Sequence, residues 1–346
     1  MSVVLITGGA GFVGTNLADR LLVEGERVRI LDDLSRPGVE ENLRWLQQRH
    51  GDKLQVEIGD VRDEAMVERA VRGAGHVFHL AAQVAVTTSL EEPMQDAAVN
   101  LRGTLNLLEA VRLAPRRPSV LFTSTNKVYG ALPDVPLREA DDRCTPLDPE
   151  LAIHGISEHR SLQFCTPYGC SKGAADQYML DYAHSFGLAT VVFRMSCIYG
   201  PHQFGTEDQG WVAHFLIRAL RGEPLTIYGT GRQVRDILFV EDLVEAMLLA
   251  RGSIETLAGR AFNIGGGPRS AVSLLDVIDR IEQLTDAPVS LAHEKWRTGD
   301  QRWYVSDTRA FAAATGWTPR VRPRDGIEAL HGWLSGERDV PQGVAI

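Results

Sequence analysis

Tyr168 and Lys172 stand four residues apart in the segment Tyr168-Gly169-Cys170-Ser171-Lys172. In a helix that spacing puts both side chains on one face. A free phenol titrates near pH 10 and is a poor base at neutral pH, but an adjacent ammonium favours phenolate. A tenfold gain in phenolate takes about 1.4 kcal/mol, so one or two close positive charges suffice to activate it. The pair therefore suits removal of a proton from an alcohol. The same spacing recurs by chance in many chains, so it needs company before it carries weight.

One companion lies upstream. Thr123-Ser124-Thr125-Asn126-Lys127-Val128-Tyr129-Gly130 follows an apolar run that reads as a strand, Ser119–Thr123. A hydroxyl at Thr125 would hold a reacting oxygen beside Tyr168; taken alone, the segment reads as a Ser/Thr-rich turn. A second companion opens the chain. Thr7-Gly8-Gly9-Ala10-Gly11-Phe12-Val13-Gly14 places glycines at G-x-x-G-x-x-G directly after the β-branched run Val3–Ile6 and before a helical pattern. Gly8 would permit a tight turn, Gly11 a close approach of backbone to pyrophosphate, and Gly14 close helix–strand packing. Phe12 and Val13 fall in the first helical turn, where unpaired N–H groups and the dipole favour phosphate. A glycine triplet alone is equally a tight turn. Here the next strand, Arg27 to Leu31, ends at Asp32-Asp33, about 20 residues on, where a carboxylate binds ribose hydroxyls. That carboxylate would repel a 2′-phosphate, which favours NAD over NADP. Arg36 points the other way but reads as a solvated loop residue. With NAD beside it, Tyr168 would take a hydroxyl proton while hydride leaves the same carbon.

Further segments fit the same cleft. Asp60-Val61 would reach the adenine edge, although an Asp after a strand also serves as a helix cap. Leu80-Ala81-Ala82 offers small side chains along which a cofactor can lie, and Thr123 joins the same wall. Asn100, within the helical pattern from Met94 to Val111, is either a buried polar anchor or a surface residue. Gln83, Ser124 and Asn126 are assigned to the substrate.

The elements that must position these groups alternate. Apolar runs at Leu54–Ile58, His76–Leu80, Ser119–Thr123 and Thr190–Phe193 are separated mostly by helical patterns. That rhythm predicts an α/β chain with a Rossmann-type, doubly wound parallel sheet. After Gly200 it breaks into the loop Pro201–Gly210, a helix Trp211–Arg221, and the segments Leu225–Tyr228, Ala261–Ile264, Ser273–Leu284 and Asp325–Leu334, which read as a smaller mixed α/β lobe. The expected division is a cofactor-binding unit over 1–200, with an insertion at about 131–167, and a substrate-binding lobe over 201–346. No linker separates them, so the two units are expected to interleave.

Bulk properties exclude other classes. The 346 residues are 44% hydrophobic and 23% charged, with formal net charge -9, which argues against broad nucleic-acid or anionic-membrane binding. No apolar run approaches the roughly 20 residues of a membrane span. The opening Met1-Ser2 runs into a strand without a cleavage-site pattern, so a cytoplasmic location is expected. Cys144, Cys165, Cys170 and Cys197 show no C-x-x-C spacing; reduced thiols and no metal site are expected.

From Thr7-Gly8 to Gly316-Trp317 the chain resembles the extended short-chain dehydrogenase/reductase superfamily, the NAD-dependent nucleotide-sugar epimerases and dehydratases. More narrowly it is similar to the CDP-paratose 2-epimerases, also called CDP-tyvelose 2-epimerases. The segments Ser124–Gly130, Tyr168–Tyr182, Asp208-Gln209-Gly210-Trp211-Val212 and Gln233-Val234-Arg235-Asp236 carry that likeness, as does the insertion between Tyr129 and Tyr168. The resemblance implies a tightly bound, recycled NAD, transient oxidation at C2 of a CDP-hexose, and hydride return to the opposite face of the 2-keto sugar. It implies Thr125, Tyr168 and Lys172 as the catalytic triad, Arg235 and Arg302 on the nucleotide diphosphate, and a homodimer or homotetramer built on helices such as Leu101–Val111 and Ala174–Phe186. The 4,6-dehydratases carry an Asp-Glu pair where this chain has Asn126-Lys127, so the acid and base for eliminating water are missing. Many 4-epimerases have asparagine at the position of Cys197. The chain departs from the narrower family at His202, where arginine is expected, and in detail through Asp141–Thr166, which contains His154, His159 and Cys165. His202 is either a loop residue near the sugar or a solvated one. A nucleotide-sugar 4-epimerase acting on a UDP-hexose or UDP-hexuronate is the alternative reading. A non-catalytic NAD sensor is the remote one, since it predicts decay at Thr125, Tyr168 or Lys172.

Overall fold

The computed structural model describes residues 3–336; Met1-Ser2 and the last ten residues of the expected second unit lie outside the described residues. Seven strands form the main sheet: β1 (Val3–Thr7), β2 (Val28–Asp32), β3 (Leu54–Ile58), β4 (Ala74–His79), β5 (Ser119–Thr125), β6 (Thr190–Met195) and β7 (Arg260–Ile264). Their spatial order is β7-β6-β5-β4-β1-β2-β3, and every pairing is parallel. Helices on both faces explain why β1 is apolar without alternation and wholly buried. One face packs Ile6, Leu17, Leu21, Phe193 and Phe262. The other packs Leu5, Val77, Leu107, Phe122 and Met179. The chain order reverses between β1 and β4, and ligands of such sheets bind in the crevice at the carboxyl ends of the strands there.

The second lobe is centred on Val234–Phe239. That strand pairs parallel with Cys197–Tyr199 and Trp303–Tyr304 and antiparallel with Ala271–Ser273. Leu225–Tyr228 pairs separately with Leu291–Glu294. Helices Trp211–Leu220, Leu274–Thr285 and Pro323–Leu334 cover a core that includes Phe215, Ile227, Ile237 and Ile281. One expectation is corrected. Ala261–Ile264 does not belong to this lobe; it lies in β7, in register with Val192–Met195 of β6. The helix Val240–Gly252 packs on the first helix, Phe12–Val23, and carries the chain back to the main sheet. Buried Phe262 and Ile264 complete the Rossmann core there.

The helix expected from Met94 to Val111 is also interrupted. Pro93–Ala97 leads into a π turn at Ala98–Arg102 and then into Gly103–Leu113. The insertion forms a short hairpin, Leu137–Glu139 with Cys144–Pro146, followed by the helix Pro149–His154. Ile156 then donates its N–H to Val305 and accepts from Asp307, which ties the insertion to the second lobe.

Candidate active site

A cleft of about 720 Å³ crosses the carboxyl end of the sheet and continues between the lobes. The glycine loop forms its floor. Gly8 has φ +69°, and a Cβ there would lie 2.7 Å from the Ala81 nitrogen. A Cβ on Gly14 would lie 2.5 Å from the Gly8 carbonyl oxygen. The glycines therefore let loop, helix and the β4 exit close on one another. Gly11 caps the helix Phe12–Val23 without a side-chain bond, and no acidic residue sits in its first turn, which suits phosphate at that terminus. Leu80, Ala81, Ala82 and Thr123 line the adjoining wall.

Asp32 ends β2 with its carboxylate accepting from the Ala10 and Leu34 N–H groups, 3.0 and 2.9 Å. Burial raises its pKa against these bonds. Asp60 and Val61 also line the cleft. Asp60 is held by Arg62 at 2.8 Å, and that ion pair lowers its pKa. Its charge is thus neutralised within the wall. Arg36 is the exposed loop residue expected from sequence, but it has a partner. It lines the cleft and donates to Gln209 of the second lobe at 2.8 Å; partial desolvation by the neighbouring walls lowers its pKa. A dinucleotide fits this surface. The Ser124 hydroxyl adds a buried polar atom in the cleft wall that has no partner among the described residues, leaving a donor and acceptor for a ligand.

Thr125, Tyr168 and Lys172 all line the cleft. Thr125 ends β5 and starts the 3-10 turn Asn126–Tyr129, while Tyr168 and Lys172 lie on the helix Thr166–Phe186. Burial pushes the Tyr168 phenol up to about 12, against the opposing influence of the neighbouring Thr125 hydroxyl. Lys172 donates to the Thr123 carbonyl at 2.6 Å and lies 4.2 Å from the centre of the Phe122 ring. Burial pushes its ammonium down to about 7, against Asp176 and Asp96. Expectation and structure differ on one point: the protein's own groups hold Tyr168 as a phenol at neutral pH, because desolvation outweighs the favourable contacts.

Asn100 is a buried anchor, not part of the cleft surface. It accepts from the Gln83 N–H at 2.9 Å and donates to the Gln83 carbonyl, to Asp96 and to Ser171. Ser171 in turn donates to Asp96. The π turn rotates Asn100 into this network, and such turns recur at functional sites. Gln83 itself lines the cleft, its amide bonded to Ala85.

At the other end, Cys197, Asn126, Gln209 and His202 line the cleft. Burial raises the Cys197 thiol. His202 is neither solvated nor free. Its ring lies 4.3 Å from Trp45 and 5.3 Å from Trp333, and its Nδ1 is 3.2 Å from Asn42. Burial pushes it down to about 4. Arg235 and Arg302 do not reach the cleft surface. Arg235 is buried, donating to Asp300 at 2.6 Å and to the Gln301 carbonyl. Arg302 is exposed and lies 5.2 Å from the Trp296 ring. Gln301 and Trp303 flank it and are both buried, while Arg302 lies at a bend that turns it outward.

Sequence reasoning passed over Lys127, Asp300 and Gln301. Lys127 lines the cleft and contacts Asp300 at 3.5 Å. Gln301 accepts from the Asn126 amide at 3.1 Å. The one available signal was Lys127's position two residues after Thr125.

Comparison with known proteins agrees with this geometry. Residues 4–265 match the model of the NAD dependent epimerase/dehydratase family. The chain is 42% identical over 339 residues to the CDP-paratose 2-epimerase of Salmonella typhi, covering 96% of this chain and 99% of that one. It is 34% identical to the UDP-glucose 4-epimerase of Mycolicibacterium smegmatis, covering 93% and 95%. Among solved structures it is similar to the Thermus thermophilus UDP-glucose 4-epimerase in complex with NAD, at TM-score 0.81 and 32% identity over 96% of this chain and 99% of that one. Glycine loop, Asp32 carboxylate and Tyr-Lys helix all lie in a chain matched over nearly its whole length, and the chain belongs to the NAD dependent epimerase/dehydratase family.

Proposed function

We propose that this enzyme inverts C2 of a CDP-activated hexose, as in conversion of CDP-paratose to CDP-tyvelose, by transient oxidation and reduction with a retained, recycled NAD. The observation that carries the reading is the meeting of Thr125, Tyr168 and Lys172 at the cofactor cleft, in a chain 42% identical to a CDP-paratose 2-epimerase over nearly its full length. NAD, when bound along the glycine loop and Asp32, supplies the acceptor and then the donor of hydride at the sugar carbon. Tyr168, once ionised by the positive charge that bound NAD would bring beside it, would take the hydroxyl proton as the carbonyl forms and return it in the second half. Thr125 orients the reacting oxygen against Tyr168. Lys172, anchored on the Thr123 carbonyl, places positive charge at the base of this site and keeps the helix face in register. Asn126 and Lys127 stand where elimination chemistry would need an acid and a base, which favours epimerisation over dehydration.

The second reading is 4-epimerisation of a UDP-sugar, supported by likeness to UDP-glucose 4-epimerases. Both readings place the enzyme with cytoplasmic nucleotide sugars. Leu113 on the helix Gly103–Leu113, and Tyr178 and Phe186 on the helix Thr166–Phe186, are exposed, which supports a homodimer or homotetramer through these helices. Proton NMR of protein incubated without added cofactor, separately with CDP-paratose and CDP-glucose, tests the proposal. Inversion at C2 is expected; inversion at C4, or turnover of UDP-sugars alone, replaces it with the second reading.

A further inference from the structure

Lys127 sits on the 3-10 turn Asn126–Tyr129 that begins at Thr125. Its side chain is 18% exposed, and the residue lines the cleft. The ammonium has three donors. Its protein partners, the Gly299 carbonyl at 3.4 Å and Asp300 Oδ1 at 3.5 Å, are both long and lie on one loop. Asp300 is already engaged: it accepts from Arg235 at 2.6 Å and from the Gln301 N–H at 3.0 Å. Two cations therefore share one carboxylate, and Arg235 holds the shorter bond. Lys127 is left with unspent donors on its open side, next to the Thr125–Tyr168 pair where the reacting carbinol must sit.

We propose that Lys127 binds the sugar, its ammonium donating to a hydroxyl oxygen of a neutral hexose and so fixing which ring carbon lies beside Tyr168. The inference rests on the nucleotide-sugar epimerase reading. A hydroxyl is favoured over the diphosphate because Lys127 shares the turn of Thr125, at the reacting end. An ammonium on a flexible stem also suits an epimerase: its rotatable donors can follow one oxygen as the ring presents first one face and then the other, which a fixed planar amide cannot do. The loop that braces it is tightly set, since a Cβ on Gly299 would lie 2.7 Å from the Thr166 methyl.

Calorimetric titration of the NAD-containing protein with CDP-glucose and with CDP tests this. Lys127→Met keeps the stem and removes the donors. Loss of a charged hydrogen bond should weaken CDP-glucose binding about 10- to 100-fold, with CDP binding changed less than about twofold and bound NAD unchanged. Lys127→Arg should recover part of the loss. Equal weakening of CDP and CDP-glucose would move Lys127 to the diphosphate, and no change in either would remove it from substrate binding; both overturn the proposal. CDP affinity and NAD content report that the variant is folded. Wild-type protein that binds neither ligand would contradict the cytidine reading instead, and the same pair of titrations with UDP and UDP-glucose would then decide Lys127 by the same criteria.

Discussion

Between Gly8 and Asp32 the cleft is walled by backbone approaching backbone, with glycines at the contacts and one carboxylate held by two N–H groups. Around Cys197 the lining side chains Asn126 and Lys127 are braced from behind by long polar groups: Asn126 bonds Gln301, and Lys127 meets Asp300, which Arg235 also holds. At the first end, specificity comes from side chains that are missing. At the second, under the proposed function, it would come from donors and acceptors that can be exchanged for ligand atoms. Adding a methyl should therefore do the damage in the cofactor region, and removing a side chain should do it where sugar binds. The Tyr168–Lys172 helix joins the two.

The largest effect is expected at that junction. Tyr168→Phe removes the proton carrier and should lower kcat by about 10²- to 10⁴-fold, with NAD content unchanged; turnover within tenfold of wild type would show that another group moves the proton. Gly14→Ala tests the backbone end. Its methyl meets the Gly8 carbonyl and Gly9, neither of which can swing aside, so a loss of about 1–3 kcal/mol in stability is expected, together with lost NAD retention. Unaltered melting and NAD content would contradict the close approach. Asp32→Ala should weaken NAD by about 10-fold or more, since hydrogen bonds to charged groups are worth about 1.5–3 kcal/mol; dialysis against buffer followed by absorbance of the released nucleotide checks this. The smallest effect is on acid stability. His76 and His79 of β4 are buried and pushed down to about 3, against about 6.5 in the unfolded chain. Between these values the unfolded chain binds more protons, so stability falls as pH drops from about 6.5 towards 3. Thermal midpoints should fall between pH 7 and pH 5; a flat profile would show that the histidines are not buried neutral.

The contrast also explains what could be read from the residues alone. Gly8, Gly11, Gly14 and Asp32 announce themselves because backbone geometry and ribose recognition tolerate few residue types, and Tyr168 with Lys172 because helical spacing fixes their face. The parallel sheet was legible from unbroken apolar strands. The return of β7 to that sheet was not, since the short segment Ala261–Ile264 carries no mark of its partner. Arg36 and Arg235 show the other limit. An arginine's reach spans several partners, so only the fold reveals that Arg36 meets Gln209 across the cleft while Arg235 is spent on Asp300 and Gln301. Asn100 could not be placed either, because a π turn shifts the helical phase that a sequence pattern assumes.

The most direct test of the central claim is epimerisation of CDP-paratose in deuterium oxide by protein without added cofactor, followed by proton NMR. Hydride carried from C2 and returned by a retained NAD predicts inversion at C2 with the C2 proton kept and no solvent deuterium at that carbon. Deuterium at C2, or inversion at C4, would contradict the account.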